Sequence, residues 1–297
     1  MDAQTTLIER RRDSGILQAL SRVLWSIPHA LWLSLPPSWR VWTYKQLIWI
    51  GKRQYPSLGF ANQYAFRLPF EMFAKVTSDS VERDALAFVW KYTTIPVPRI
   101  IDFVHDAPDH KYYLITSRIE GEQLGKWLSA PEHPDTTLVV MDIQNALSQL
   151  RSLPAPTTKI SGLYGRHFYC PRVSQSYIGP FEDMGSFHAY LFTVVHGLAD
   201  MDSLRKLAQK SHTKSHRICF THGDLNNSNI LVKDDRVVGI VDWHSAGWLP
   251  EYWDHTAALW HAKRWKRMQR LIQASFPPYD DEVEVERALW KETDRWS

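Results

Sequence analysis

The sequence predicts an α+β fold in which a short run of strands precedes a longer, mainly helical stretch. Three observations lead there. Apolar segments of strand length, with one helical pattern among them, fill residues 62–116. Helical patterns take over from Thr137. Between Ile218 and Val241 apolar runs bracket a polar stretch and read as a hairpin. A chain of 297 residues with 44% hydrophobic content can bury a sizeable core, and these elements consume it without a second independent domain.

At the amino terminus, residues 16–35 are apolar and rich in Trp and follow Arg10-Arg11-Arg12, a flank that resembles a signal peptide. Gln18, Arg22, Ser26, Pro28 and His29 interrupt the stretch, no small-residue cleavage site is clear, and a span needs about 20 predominantly apolar residues. It is therefore read neither as a leader nor as a transmembrane segment. Trp25, Trp32, Trp39, Trp42 and Trp49 are expected on amphipathic helices that pack on the strands after them, with membrane-surface or dimer contact as the lesser reading. Strands are expected at residues 62–66 and 72–76, a helix over 81–89, and further strands at 100–104 and 112–116. Residues 117–122 connect to a helix over 137–152. Between Pro154 and Pro180 the chain is rich in Pro, Gly, Ser and aromatic residues. Such a loop-rich stretch suits ligand binding, and Arg166, His167, Tyr169 and Arg172 are its candidate groups.

The run from Thr221 to Val232 is the most informative in the chain. It contains His222, Asp224 and Asn229 in the pattern His-x-Asp-x-x-x-x-Asn, and Asp242 ends the next apolar segment. This is the spacing of a phosphoryl-transfer loop, in which the Asp accepts the proton of the attacking hydroxyl and the Asn binds a metal. The transferred group spreads its charge over oxygens, so catalysis is mostly positioning plus cation neutralisation. The amide oxygen of Asn229 and the carboxylate of Asp242 suit Mg²⁺, which takes one or two protein oxygens and keeps waters and substrate phosphates. The bare pattern would arise by chance in about a few per cent of chains this long. The strands before and after it are the context the motif requires. Upstream, Lys75 closes the apolar segment Met72-Phe73-Ala74 ahead of a helical pattern, where a lysine of this kind holds α- and β-phosphates and pairs with a helix Glu. Glu82 is the first candidate partner, with Asp84 close by.

At these residues the chain resembles the aminoglycoside phosphotransferase family, in its fungal small-molecule-kinase-like branch. The resemblance runs from about Leu35 onward. It implies a bilobal protein-kinase-like fold with a small antiparallel-sheet N-lobe and a mainly helical C-lobe. The implied division is a Trp-rich helical extension over 1–44, an N-lobe over 45–116, a hinge over 117–122 that meets adenine, and a C-lobe over 123–297. His222-Gly223-Asp224-Leu225 followed by Asn229 is similar to the family's catalytic loop, and Asp242-Trp243 stands where protein kinases carry Asp-Phe-Gly. Gly247 and Pro250-Glu251-Tyr252-Trp253-Asp254 match the segment after it, which implies that Asp254 braces the loop backbone. His222 is read as orienting the loop by hydrogen bonds and not as the base, because Asp224 holds that position. Arg67 to Lys75 resembles the second and third strands, and Thr94 to Arg99 the helix-to-strand connection.

Two departures stand out. Glu71 occupies the place of a glycine in relatives, and Gly51 and Gly59 are the nearest glycines upstream of Lys75, with no dense Gly-rich pattern. No Lys lies two residues after Asp224, which points to a small-molecule acceptor. The resemblance thus implies an ATP-dependent, Mg²⁺-assisted transfer of the γ-phosphate to a hydroxyl of a small metabolite, with Asp224 as base. The alternatives are a catalytically silent kinase-like ligand-binding or interaction protein, and an enzyme using this fold for non-phosphoryl chemistry on a natural product.

Composition narrows the rest. The net charge of +3 is small, and the basic residues Lys263, Arg264, Lys266, Arg267 and Arg270 read as a solvated helix face beside Trp260 and Trp265, so nucleic acid is not an expected partner. Cys170 and Cys219 are the only cysteines, which excludes a disulfide framework and fits a reducing, cytoplasmic setting. No Cys/His cluster suggests zinc. Arg166 and Arg172 lean away from a polycationic acceptor, toward an aromatic or anionic hydroxylated metabolite.

Overall fold

The computed structural model describes residues 28–55, 64–130, 134–174, 176–195 and 200–293. The chain divides into two compact units, with the break between Ile119 and Glu120.

In the first unit, helix α1 (Pro37–Gln54) leads to strands β1 (Ala65–Leu68) and β2 (Met72–Thr77), helix α2 (Val81–Tyr92), and strands β3 (Ile100–Asp106) and β4 (Lys111–Ser117). The strands form one antiparallel sheet in the order β1-β2-β4-β3. Helix α1 starts with Pro37 in its first turn, where a missing N–H costs nothing. Its Val41, Tyr44 and Ile48 recur at helical spacing and join Leu68, Ala74, Val104, Tyr113 and Ile115 in the unit's core. Gly51 lies against β1, where a Cβ would overlap the carbonyl oxygen of Arg67. Gly51 therefore serves helix packing rather than a phosphate loop, and Gly59 lies outside the described residues.

The packing of α1 corrects two expectations. The boundary between 44 and 45 falls inside a continuous helix whose two halves feed the same core. Trp39, Trp42 and Trp49 point outward, 67%, 64% and 55% exposed, so the aliphatic residues and Tyr44 dock the helix. Trp32 is tied in differently, donating from Nε1 to the Tyr44 hydroxyl at 2.7 Å. Trp25 lies outside the described residues. Strand β1 begins at Ala65, three residues after its expected start at Asn62, which is also outside them. The β1–β2 turn puts Phe70 and Glu71 in the left-handed region, with φ of 63° and 52°. Glu71 thus has the backbone that glycine favours, and it is held there by Arg118 Nη1 at 2.6 Å.

The second unit is mainly helical. Its elements are β5 (Glu122–Gln123), α3 (Leu124–Leu128), α4 (Thr137–Ser152), β6 (Ser161–Gly162), β7 (Phe168–Cys170), β8 (Ser176–Ile178), α5 (Met184–Thr193) and α6 (Met201–His212). Then follow β9 (Ile218–Thr221), β10 (Ile230–Lys233), β11 (Arg236–Ile240), β12 (Gly247–Pro250), α7 (Trp253–His261), α8 (Lys266–Ser275) and α9 (Asp280–Thr293). Helix α4 buries Val139, Ile143, Ala146, Leu147 and Leu150 along one stripe. Asp183 and Ser186 close a capping box on α5. Phe187, Leu191, Leu204, Leu249, Trp253 and Leu289 meet in one core. No helix among the described residues is long and apolar enough to cross a membrane.

Short strands frame the polar loop. β10 and β11 pair as a hairpin around Asp234 and Asp235, both at positive φ, as a tight primed turn requires. The incoming strand β9 is not part of that hairpin. It pairs with β12, in a sheet ordered β6-β12-β9, so the loop crosses from one small sheet to another. The stretch read as loop-rich contains the β7–β8 hairpin, which its Pro and Gly content hid. The basic run ending at Arg270 is not one helix face, since Lys263 and Arg264 lie in the turn between α7 and α8.

Candidate active site

In the first unit Lys75 sits on β2 and Glu82 on α2. Lys75 Nζ donates to both carboxylate oxygens of Glu82, at 2.9 and 2.8 Å. The pair is only partly sealed, with side-chain exposures of 23% and 11%. Asp84, the other carboxylate near in sequence, instead accepts from the Ser80 hydroxyl at 2.7 Å and pairs with Arg83.

In the second unit the loop after β9 is held as a rigid turn. Gly223 has φ +80°, and a Cβ there would overlap the carbonyl oxygen of Ser245, so the residue before Asp224 has to be glycine. Asp254, in the first turn of α7, accepts the backbone N–H groups of His222 at 3.1 Å and Gly223 at 2.8 Å. Burial pushes its carboxyl above the usual range against these two donors. The His222 ring donates from Nε2 to the Val241 carbonyl at 2.9 Å, while its Nδ1 accepts from the Asp224 N–H at 3.3 Å. One tautomer satisfies both bonds, and the ring ties the loop to the chain segment next to Asp242.

Asp224 is oriented from two sides. Asn229 Nδ2 donates to its carbonyl oxygen at 2.8 Å and to its Oδ2 at 3.1 Å. Its Oδ1 accepts from His261 Nε2, at the end of α7, at 2.7 Å. Both bonds from Asn229 use its amide nitrogen and neither uses its amide oxygen. Asp242 follows β11 in the left-handed region at φ 66°, a backbone that Asp tolerates better than most residues, and leads into a turn of 3₁₀ helix at Trp243–Ser245. An amide oxygen and a carboxylate are hard ligands, and they fit Mg²⁺.

The candidate acceptor groups separate. Burial, and after it the charge of Asp224, pushes the Tyr169 phenol up. Its ring centroid lies 5.0 Å from that of His244, whose Nε2 meets the Tyr177 hydroxyl at 2.5 Å. Arg166 and His167 are exposed, and Arg166 lies over the Tyr164 ring. Arg172 is buried. Its guanidinium pairs with Glu286 at 2.8 Å and stacks on Trp253 at 4.3 Å, so it belongs to the core and is unavailable to an acceptor. The lean away from polycations loses one of its two arginines. His261, Tyr177 and His244 were not among the sequence candidates. Only His261 had a usable signal, standing seven residues after Asp254 on a helical pattern.

The profile of the phosphotransferase enzyme family (APH) matches residues 80–282. No match was found among curated proteins. Among solved structures, a thermostable mutant of aminoglycoside phosphotransferase APH(4)-Ia in apo form superposes with a TM-score of 0.55 at 14% identity, covering 76% of this chain and 79% of that one. A thermostable APH(4)-Ia mutant in ternary complex with ADP and hygromycin B gives 0.53 at 12% identity, with coverages of 76% and 79%. The GDP and kanamycin complex of APH(2")-IIia gives 0.55 at 13% identity, covering 84% of this chain and 87% of that one. At such identities the structures establish the shared fold, a mixed α+β architecture with an antiparallel sheet first and helices after.

Proposed function

Because the chain belongs to the phosphotransferase enzyme family, we propose that it moves the γ-phosphate of ATP to a hydroxyl of a small molecule, with Asp224 as general base. The observation that carries this reading is the posture of Asp224 and Asn229. The amide nitrogen of Asn229 holds the Asp224 carboxylate, and its amide oxygen is left to join Asp242 on Mg²⁺. When bound, Mg²⁺ neutralises charge on the phosphate oxygens.

The residues of the chain do the rest by position. Asp224 takes the acceptor's proton as the new O–P bond forms and the bond from the γ-phosphorus to the β,γ-bridging oxygen breaks, releasing ADP. Lys75, aimed by its two-oxygen contact with Glu82, takes the α- and β-phosphates. Tyr169, whose ring lies 5.0 Å from that of His244, two residues after Asp242, is the acceptor-side group with the best support, and exposed Arg166 and His167 are secondary. Both cysteines are buried free thiols, which fits the proposed cytoplasmic setting.

Calorimetry of Mg-ATP with wild type and Asp242→Ala side by side tests the reading, with GTP as a second nucleotide because a relative is known with GDP. Micromolar, Mg-dependent binding that the variant loses supports it. A folded wild type that binds neither nucleotide overturns it.

A further inference from the structure

Helix α7 meets the loop at both of its ends. Asp254 in its first turn accepts two loop N–H groups, and His261 in its last turn donates from Nε2 to Asp224 Oδ1 at 2.7 Å. Seven residues are close to two full turns, so both side chains leave the same face of the helix. Ala257 and Ala258 between them are small and buried, 2% and 3% exposed. The two contacts differ in kind. Asp254 is sealed and binds only backbone, whereas the His261 and Asp224 side chains stay open to solvent at 27% and 18%. The Trp260 and His261 rings meet in a T-shaped contact with centroids 4.6 Å apart, which restricts how the imidazole can turn.

We infer that His261 is a positioning residue for Asp224, holding Oδ1 while Asn229 holds Oδ2, so that the carboxylate meets an incoming hydroxyl in one fixed rotamer. A carboxylate held at one oxygen can still swing about its Cα–Cβ and Cβ–Cγ bonds, and donors on both oxygens remove that freedom. This role rests on the phosphotransferase reading. His261 makes and breaks no covalent bond in the step. The acceptor's proton goes to Asp224, and His261 keeps its N–H throughout.

The test uses Mg-ATP with water as acceptor, reading ADP release, so that no acceptor has to be identified. Wild type, His261→Ala, His261→Gln, Asp224→Asn and the Asp224→Asn/His261→Ala pair are compared for kcat, KM and thermal midpoint. His261→Ala is expected to lower kcat about 10–100-fold with KM for Mg-ATP within about twofold. His261→Gln, whose amide still donates, is expected to recover most of the rate. In the Asp224→Asn background His261→Ala should add nothing, because it works through that carboxylate. Unchanged kcat in His261→Ala, or a loss that adds to that of Asp224→Asn, overturns the role while leaving the phosphotransferase reading intact. A loss that only tracks a fallen thermal midpoint, and that glutamine does not repair, also overturns it. A wild type that binds no Mg-ATP and releases no ADP overturns the underlying reading and this role together.

Discussion

Two ion pairs, one in each unit, use the same chemistry for different ends. Lys75 and Glu82 join a strand to a helix at 2.8 Å with side-chain exposures of 23% and 11%. Arg172 and Glu286 meet at the same distance with exposures of 3% and 1%, and the guanidinium is stacked on Trp253. Water access separates them. A charge that keeps some contact with solvent can give part of its hydrogen bonding to a ligand phosphate. A charge sealed in a core has already lost its hydration and depends wholly on its partner. An arginine in a loop-rich stretch therefore says little about binding until its burial is known.

The sharpest break in that comparison is Arg172→Met. Leaving Glu286 buried without its partner should cost about 3–5 kcal/mol of stability in chemical denaturation, and adding Glu286→Leu should recover most of it. A loss under about 1 kcal/mol would show that the pair is not sealed as described. Lys75→Met is the counterpart. It should weaken Mg-ATP binding about 10–100-fold, the scale of lost hydrogen bonds to a charged group, with a smaller stability loss than Arg172→Met. Calorimetry and denaturation on the same protein decide, and a Lys75→Met protein with full nucleotide affinity would remove this lysine from the site.

The interior of the second unit excludes unpaired charge in a further way, which sets the smallest of the effects. Burial lowers His188 to about 3 and His212 and His255 to about 4, from an ordinary 6.5. Between about 6.5 and 4 the unfolded chain binds protons that the folded chain refuses. The stabilisation is therefore complete above pH 6.5 and is lost as pH falls through this window. His255 stacks on Phe276 with centroids 5.0 Å apart, so His255→Phe keeps the packing and removes the proton site. The pH slope of its unfolding free energy should be flatter than wild type by about 1.4 kcal/mol per pH unit in that window. Equal slopes would mean that this imidazole takes its proton in the folded protein as readily as in the unfolded one.

Much of this molecule is legible in its residues alone. The β2–α2 pattern put a lysine and a helix glutamate within reach of each other, and the spacing from His222 to Asn229, with Asp242 after the next strand, named the polar loop. Local periodicity and motif spacing suffice there because the groups lie on neighbouring elements, where backbone geometry sets the distance. The outward turn of Trp39, Trp42 and Trp49 was not legible, because α1 is apolar on both faces and its sequence does not say which one docks. Glu82 and Asp84 lie seven and nine residues after Lys75, and only the packed helix showed which one faces β2. The pairing of β9 with β12, the burial of Arg172 and the reach of His261 to Asp224 were decided by tertiary structure. Each joins residues 26 or more positions apart, and contacts at that range depend on how whole elements pack, which no local pattern encodes.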